Sequence, residues 1–222
     1  TGRRRPPRRF GEGVTLPAVA GAAALAVGLW LMLPMGGAPS WATLPAKAAA
    51  LIIVGCGGQM LLRVVVPADE SIRGVWFLML AMVLVALTAV RAAEWLLRAA
   101  PGPLPAGRVA PYAAPHAFAP LLVAMLHGGP VALVIGLIVG VALAVAAEAD
   151  LGVFLLSFCA TAVAAREAPR LRHRARILRA LGRVALWQTP VVLIMAILAP
   201  RPDALPAVAA KLAAIYAVLL LS

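Results

Sequence analysis

The sequence predicts an all-α protein, a polytopic membrane helix bundle of about eight spans with both termini in the cytoplasm. Three observations predict it. Apolar residues make up 64% of the chain and charged residues 13%, whereas a soluble domain is about half apolar and a quarter charged. Mean hydropathy is +0.99, and apolar runs recur along nearly all 222 residues, more than a water-soluble fold could bury. The charge is also segregated. Of the 20 basic residues, five arginines stand in TGRRRPPRRF and seven in REAPRLRHRARILRALGR, residues 166–183.

The apolar runs mark spans at 14–35, 42–66, 74–97, 111–127, 131–147, 151–165, 184–199 and 204–221. A spanning helix needs about 20 apolar residues, with about 17 as the usual floor. The run at 151–165 is short and draws in flanking residues or tilts less. Gly128, Gly129 and Pro130 alone part 111–127 from 131–147, which reads as a tight helix–helix turn.

The arginines set the orientation. With the N-terminal cluster inside and eight alternating spans, the inner loops are 67–73, 128–130 and 166–183, and the outer loops are 36–41, 98–110, 148–150 and 200–203. Both dense arginine clusters then fall inside, while the outer loops hold only Arg98, Arg108, Glu148, Asp150, Arg201 and Asp203 as charges. Residues 1–13 thus form a cytoplasmic arginine-rich tail and 14–222 a transmembrane domain. A twin-arginine signal is the alternative for the N-terminus, but the run at 14–35 is long for a signal core.

Within 166–183, Leu171, Ala175, Leu178 and Leu181 fall at steps of four and three on one helical face. The spacing predicts a basic amphipathic helix over about 167–183, lying in the inner headgroup layer and leading into the next span, with Pro169 as the break before it. Arg170, Arg172, Arg174, Arg176, Arg179 and Arg183 would hold anionic lipid headgroups or dock a cytoplasmic partner. Nucleic acid is disfavoured, because such binding asks for interleaved aromatics or a recognisable fold, and the run has no aromatic apart from His173.

Ionisable groups within spans are functional candidates by default. Arg91 and Glu94, three apart near the outer end of span three, can pair on one face, and an interfacial ion pair is the plain reading. Lys47 and Arg63 stand near the two ends of span two, where long basic chains snorkel. Gln59 is deeper and can hydrogen-bond a neighbouring helix. Lys211 is the most deeply placed charge, with Glu94 a candidate partner. Gly55, Gly57 and Gly58 read as a close-packing surface or a kink.

Catalytic chemistry finds no support in these residues. His116 and His127 are eleven residues apart, about 16 Å along a helix, so one metal cannot take both. Cys56 and Cys159 lie in apolar segments without partners at motif spacing. No metal-protease, P-loop or dinucleotide-binding pattern occurs. No cofactor is expected.

The stretches PYAAPHAFAPLLVAMLHGGPVALVIG, EADLGVFLLS and RLRHRARILRALGR occur in that order across about 109–199. They resemble the transmembrane region of bacterial seven-transmembrane HD-domain proteins of the cyclic-di-AMP phosphodiesterase type. The shared features are a Pro-Tyr entry, a Gly-Pro turn, an acidic outer turn at 148–154 and an arginine-rich inner loop. The resemblance implies a bacterial inner-membrane bundle followed by a cytoplasmic HD domain that carries the metal-binding residues. The end at YAVLLLS, inside an apolar run, is where such a domain would follow. Only GGAPSW parts span one from span two, leaving no room for the family's ectodomain between them. The function expected on this basis is a non-catalytic membrane-anchoring and signal-coupling module. The alternatives are a non-catalytic membrane subunit packed on partner subunits, and a small-solute transporter. Against transport, the sequence has no internal repeat with matching broken helices.

Overall fold

A computed structural model describes residues 15–32, 43–67, 71–99, 110–112, 115–148, 150–167 and 174–198, with backbone alone at 15–20, 174–178 and 195–198. Among these residues there are seven helices and no strand. They are α1 (Thr15–Leu31), α2 (Leu44–Val65), α3 (Ile72–Ala99), α4 (Phe118–His127), α5 (Gly129–Ala146), α6 (Leu151–Glu167) and α7 (Arg174–Leu198). The chain is an all-α bundle, as the sequence predicts. The tail 1–13 and the run 204–221, with Lys211, lie outside the described residues.

Local chemistry fixes the helix ends. Proline in the first turn opens α2 at no hydrogen-bond cost. Pro67 then forces Val66 into extended backbone, with ψ 125°, and ends the helix. Gly128 alone separates α4 from α5. Its φ of +85° suits a residue without a Cβ, its amide donates to the Ala124 carbonyl at 3.1 Å, and its carbonyl accepts from Ala132 at 3.1 Å. Gly129 and Pro130, expected in the turn, instead form the first turn of α5.

Two expectations are corrected. The expected span 111–127 is not one helix. A helical turn at 110–112 comes first, and α4 begins only at Phe118. Pro115 explains the restart: its ring cannot donate, and its carbonyl instead accepts from Phe118 at 3.0 Å. Second, α3 runs to Ala99 and carries Arg98 in its last turn rather than in an outer loop, where a cation favours the helix C-terminus. Over 167–183, of which 168–173 lie outside the described residues, the described part from Arg174 continues into the expected next span. Helix α6 continues to Glu167, and α7 runs unbroken from Arg174 to Leu198. Nothing between Arg174 and Leu186 breaks a helix, and the buried stripe of Ala180, Val184, Ala185 and Gln188 passes straight through the expected boundary.

Helix α5 is the centre of the bundle. More than half of its apolar window (56%) is buried, against 11% for α2 and 22% for α3, so the latter two leave most of their surface outside the packed core. These three are the described helices long and apolar enough to cross a membrane. Small residues bring α5 onto antiparallel α6. A Cβ on Gly136 would collide with the Thr161 side chain, and one on Gly140 would lie 3.0 Å from Ser157 Oγ. Backbones can approach so closely only where side chains are this small. Of the three glycines in α2, Gly58 alone is a packing contact, against Ile138 of α5 and Met79 of α3. A Cβ on Gly55 or Gly57 would meet nothing within 4 Å.

Candidate functional site

Helix α6 is held by polar contacts at both ends. At its start, Asp150 is buried, with Oδ1 accepting the Gly152 amide at 2.8 Å. The carboxylate so caps one of the helix's unsatisfied N–H groups and faces the positive end of its dipole. Its other oxygen, Oδ2, accepts from the Tyr112 hydroxyl at 2.6 Å, the short distance of a charge-assisted bond. Tyr112 lies on the helical turn before α4 and is itself buried. His116, 2% exposed, sits on the turn between these two segments. The Pro-Tyr entry and the acidic outer turn therefore meet in space.

At the far end, Glu167 is the last residue of α6. A carboxylate at a helix C-terminus opposes the dipole. Arg183 of α7 offsets this through an ion pair with Glu167. The Glu167 side chain is 9% exposed and that of Arg183 49%, so the pair closes over the carboxylate and leaves half of the Arg183 side chain at the surface. Between the two ends, Gln188 of α7 donates to the Leu156 carbonyl at 3.0 Å, a buried tie to α6. The 17 residues of α6 rise about 25 Å, close to the thickness of a hydrocarbon core. A polar latch thus stands at each end of α6, the two joined by one helix.

A third polar cluster lies on α3. Glu94 accepts from Arg91 at 3.0 Å and from Arg98 at 2.6 Å. Arg98 was the partner hidden by assigning it to a loop. The Arg91 side chain is 14% exposed and that of Arg98 40%, so the carboxylate has one deep and one shallow partner. Lys47 Nζ donates to the Met32 carbonyl at 3.4 Å, tying the start of α2 to the end of α1. Gln59 lines a cleft between α1, α2, α3 and α5.

Of the predicted arginine set, Arg179 is exposed and Arg183 is engaged by Glu167. Arg174 and Arg176 open α7, with side chains outside the described residues, as are Arg170 and Arg172 altogether. His116 and His127 lie at opposite ends of α4. Among the described residues no group of three or more His, Cys, Asp or Glu side chains could hold a metal ion.

The three described helices long and apolar enough to cross a membrane define a multi-pass membrane protein. Residues 69–221 match the family model described as the 7TM receptor with intracellular HD hydrolase, and the chain belongs to that family. The match takes in α3 to α7, both latches and the run 204–221, and leaves α1 and α2 outside it. No curated protein matches the chain, and no solved structure does.

Proposed function

We propose that the chain is the membrane-anchoring and signal-coupling module of an HD-type cyclic-dinucleotide phosphodiesterase in the bacterial cytoplasmic membrane. It carries no catalysis of its own and works on a cytoplasmic HD domain. The observation that carries this reading is the polar latch at each end of α6. A packed helix tied at both membrane faces moves as a unit, so a shift at Tyr112–Asp150 reaches Glu167 and Arg183 as displacement rather than being absorbed by side chains. Arg183 belongs to the arginine-rich segment, whose guanidinium groups would hold anionic headgroups and dock the catalytic domain. The module needs no metal or cofactor.

The test is the full-length gene product in proteoliposomes, assayed for cyclic-di-AMP hydrolysis. Tyr112→Phe and Glu167→Gln are expected to change the hydrolysis rate several-fold while the isolated HD domain keeps its own. A full-length product that hydrolyses no cyclic dinucleotide contradicts the reading. So does a rate indifferent to both latches.

A further inference from the structure

The cleft between α1, α2, α3 and α5 has a volume of about 310 Å³, within the range of small-molecule pockets. Gly28, Ile52, Leu84 and Ala142 represent its four walls. It opens on the lipid side, where Ile52 and Cys56 are exposed. Its lining is apolar apart from the Gln59 amide, the Cys56 thiol and the Trp76 indole. In a bilayer no water is at hand to fill it, and an empty apolar cleft forfeits its dispersion contacts.

The helical register leads from this cleft to two arginines. On α2 the lining residues Ile52, Cys56 and Gln59 are followed by Arg63, four residues past Gln59 and on the same arc. On α3, Arg73 precedes the lining residue Trp76 by three and shares the arc of Leu80 and Leu84. Both arginines are exposed, and both stand at the end of the bundle where α2 passes into α3. Neither makes an ion pair among the described residues, and no described group hydrogen-bonds the Gln59 side chain.

We propose that the cleft seats one diacyl glycerophospholipid, with its phosphate at Arg63 and Arg73, an ester carbonyl on the Gln59 amide and an acyl chain in the apolar part. Three features choose this occupant. The guanidinium fork matches phosphate. Gln59 lies one turn deeper than Arg63, about 6 Å along the axis, comparable to the glycerol linkage between a phosphate and its ester carbonyls. A lone amide in hydrocarbon needs an acceptor, and the ester supplies one. In the sequence Asp69 and Glu70 stand between the two arginines, so the stretch 63–73 has no net formal charge. Recognition then rests on the phosphate itself, which zwitterionic and acidic phospholipids share. This inference is independent of the proposed phosphodiesterase role.

The test is native mass spectrometry of the delipidated full chain with four added lipids. These are diester phosphatidylglycerol, diester phosphatidylethanolamine, diether phosphatidylglycerol and phosphate-free diacylglycerol. Both diester phospholipids are expected to be retained, and diacylglycerol released. Arg63→Gln and Arg73→Gln should each weaken retention about five-fold. Gln59→Leu should erase the preference for diester over diether. Gly55→Leu serves as the second variant, because a Cβ there meets no neighbour within 4 Å and Gly55 lines the cleft, and it should abolish retention with the helical circular dichroism unchanged. Equal retention of diacylglycerol, or retention indifferent to the Gly55→Leu and arginine variants, overturns the proposal.

Discussion

The Tyr112 hydroxyl donates to Asp150 at 2.6 Å across 38 residues of chain. The bond joins the turn before α4 to the capped start of α6, and both residues are buried. A buried carboxylate that loses its donor keeps the full cost of its desolvation. Tyr112→Phe is therefore expected to destabilise the bundle by about 1.5–3 kcal/mol, the range for hydrogen bonds to charged groups. Asp150→Ala also removes the cap and should cost about 1 kcal/mol more. Unfolding in detergent micelles measures both. The double variant should fall close to Asp150→Ala alone, since the two changes share one contact. Additive losses would mean that the pair is not coupled.

The glycines give a graded series. Gly136→Ala drives a methyl into Thr161, and Gly58→Ala drives one into Ile138. Each should cost about 1–3 kcal/mol by overpacking. Gly57→Ala meets nothing within 4 Å and should stabilise α2 by up to about 1 kcal/mol through helix propensity. The same unfolding assay checks the order. A destabilised Gly57→Ala together with a neutral Gly136→Ala would contradict the packing of α5 on α6.

Glu94 separates its two partners by depth. Glu94→Gln leaves the Arg91 guanidinium, 14% exposed, without its counter-charge, and should cost on the order of 3 kcal/mol. Arg98→Gln removes the partner that is 40% exposed and should cost under about 1 kcal/mol. Equal losses for the two would contradict the burial difference.

Charge reversal tests the inner latch. Glu167→Arg places two cations together at the junction of α6 and α7 and is expected to lower the unfolding midpoint. Adding Arg183→Glu restores opposite charges and should recover most of the loss. The expected recovery is modest, within about 1 kcal/mol, because half of Arg183 is exposed. No recovery in the double variant would mean that the two residues do not meet.

Much of this architecture is legible in the sequence. Hydropathy alone gives the class, and the Arg91–Glu94 spacing places those two groups on one face. The latches are less legible, for distinct reasons. Asp150 stands immediately before an apolar run, a position that marks a helix cap, yet nothing local says that Tyr112 reaches it. Arg98 stands four residues after Glu94, a readable pair, but it was hidden by ending α3 early. The Gly136-x-x-x-Gly140 spacing was a readable packing signal in an apolar run. The three glycines of α2 could not be told apart, because which of them faces α5 depends on tertiary contact. What the helix after the arginine run packs against is likewise a matter of tertiary contact: Arg183 and Gln188 of α7 both reach α6.

The central claim is that α6 carries its two latches to opposite faces of the membrane. Cysteine accessibility tests it most directly, in a background with Cys56 and Cys159 replaced by serine and alanine. Glu148→Cys, beside the outer latch, and Arg179→Cys, one turn from the inner one, would be labelled in intact cells with a membrane-impermeant maleimide, and again after permeabilisation. The account predicts that Glu148→Cys reacts in intact cells and Arg179→Cys only once the membrane is opened. Reaction of both positions from the same side would contradict it.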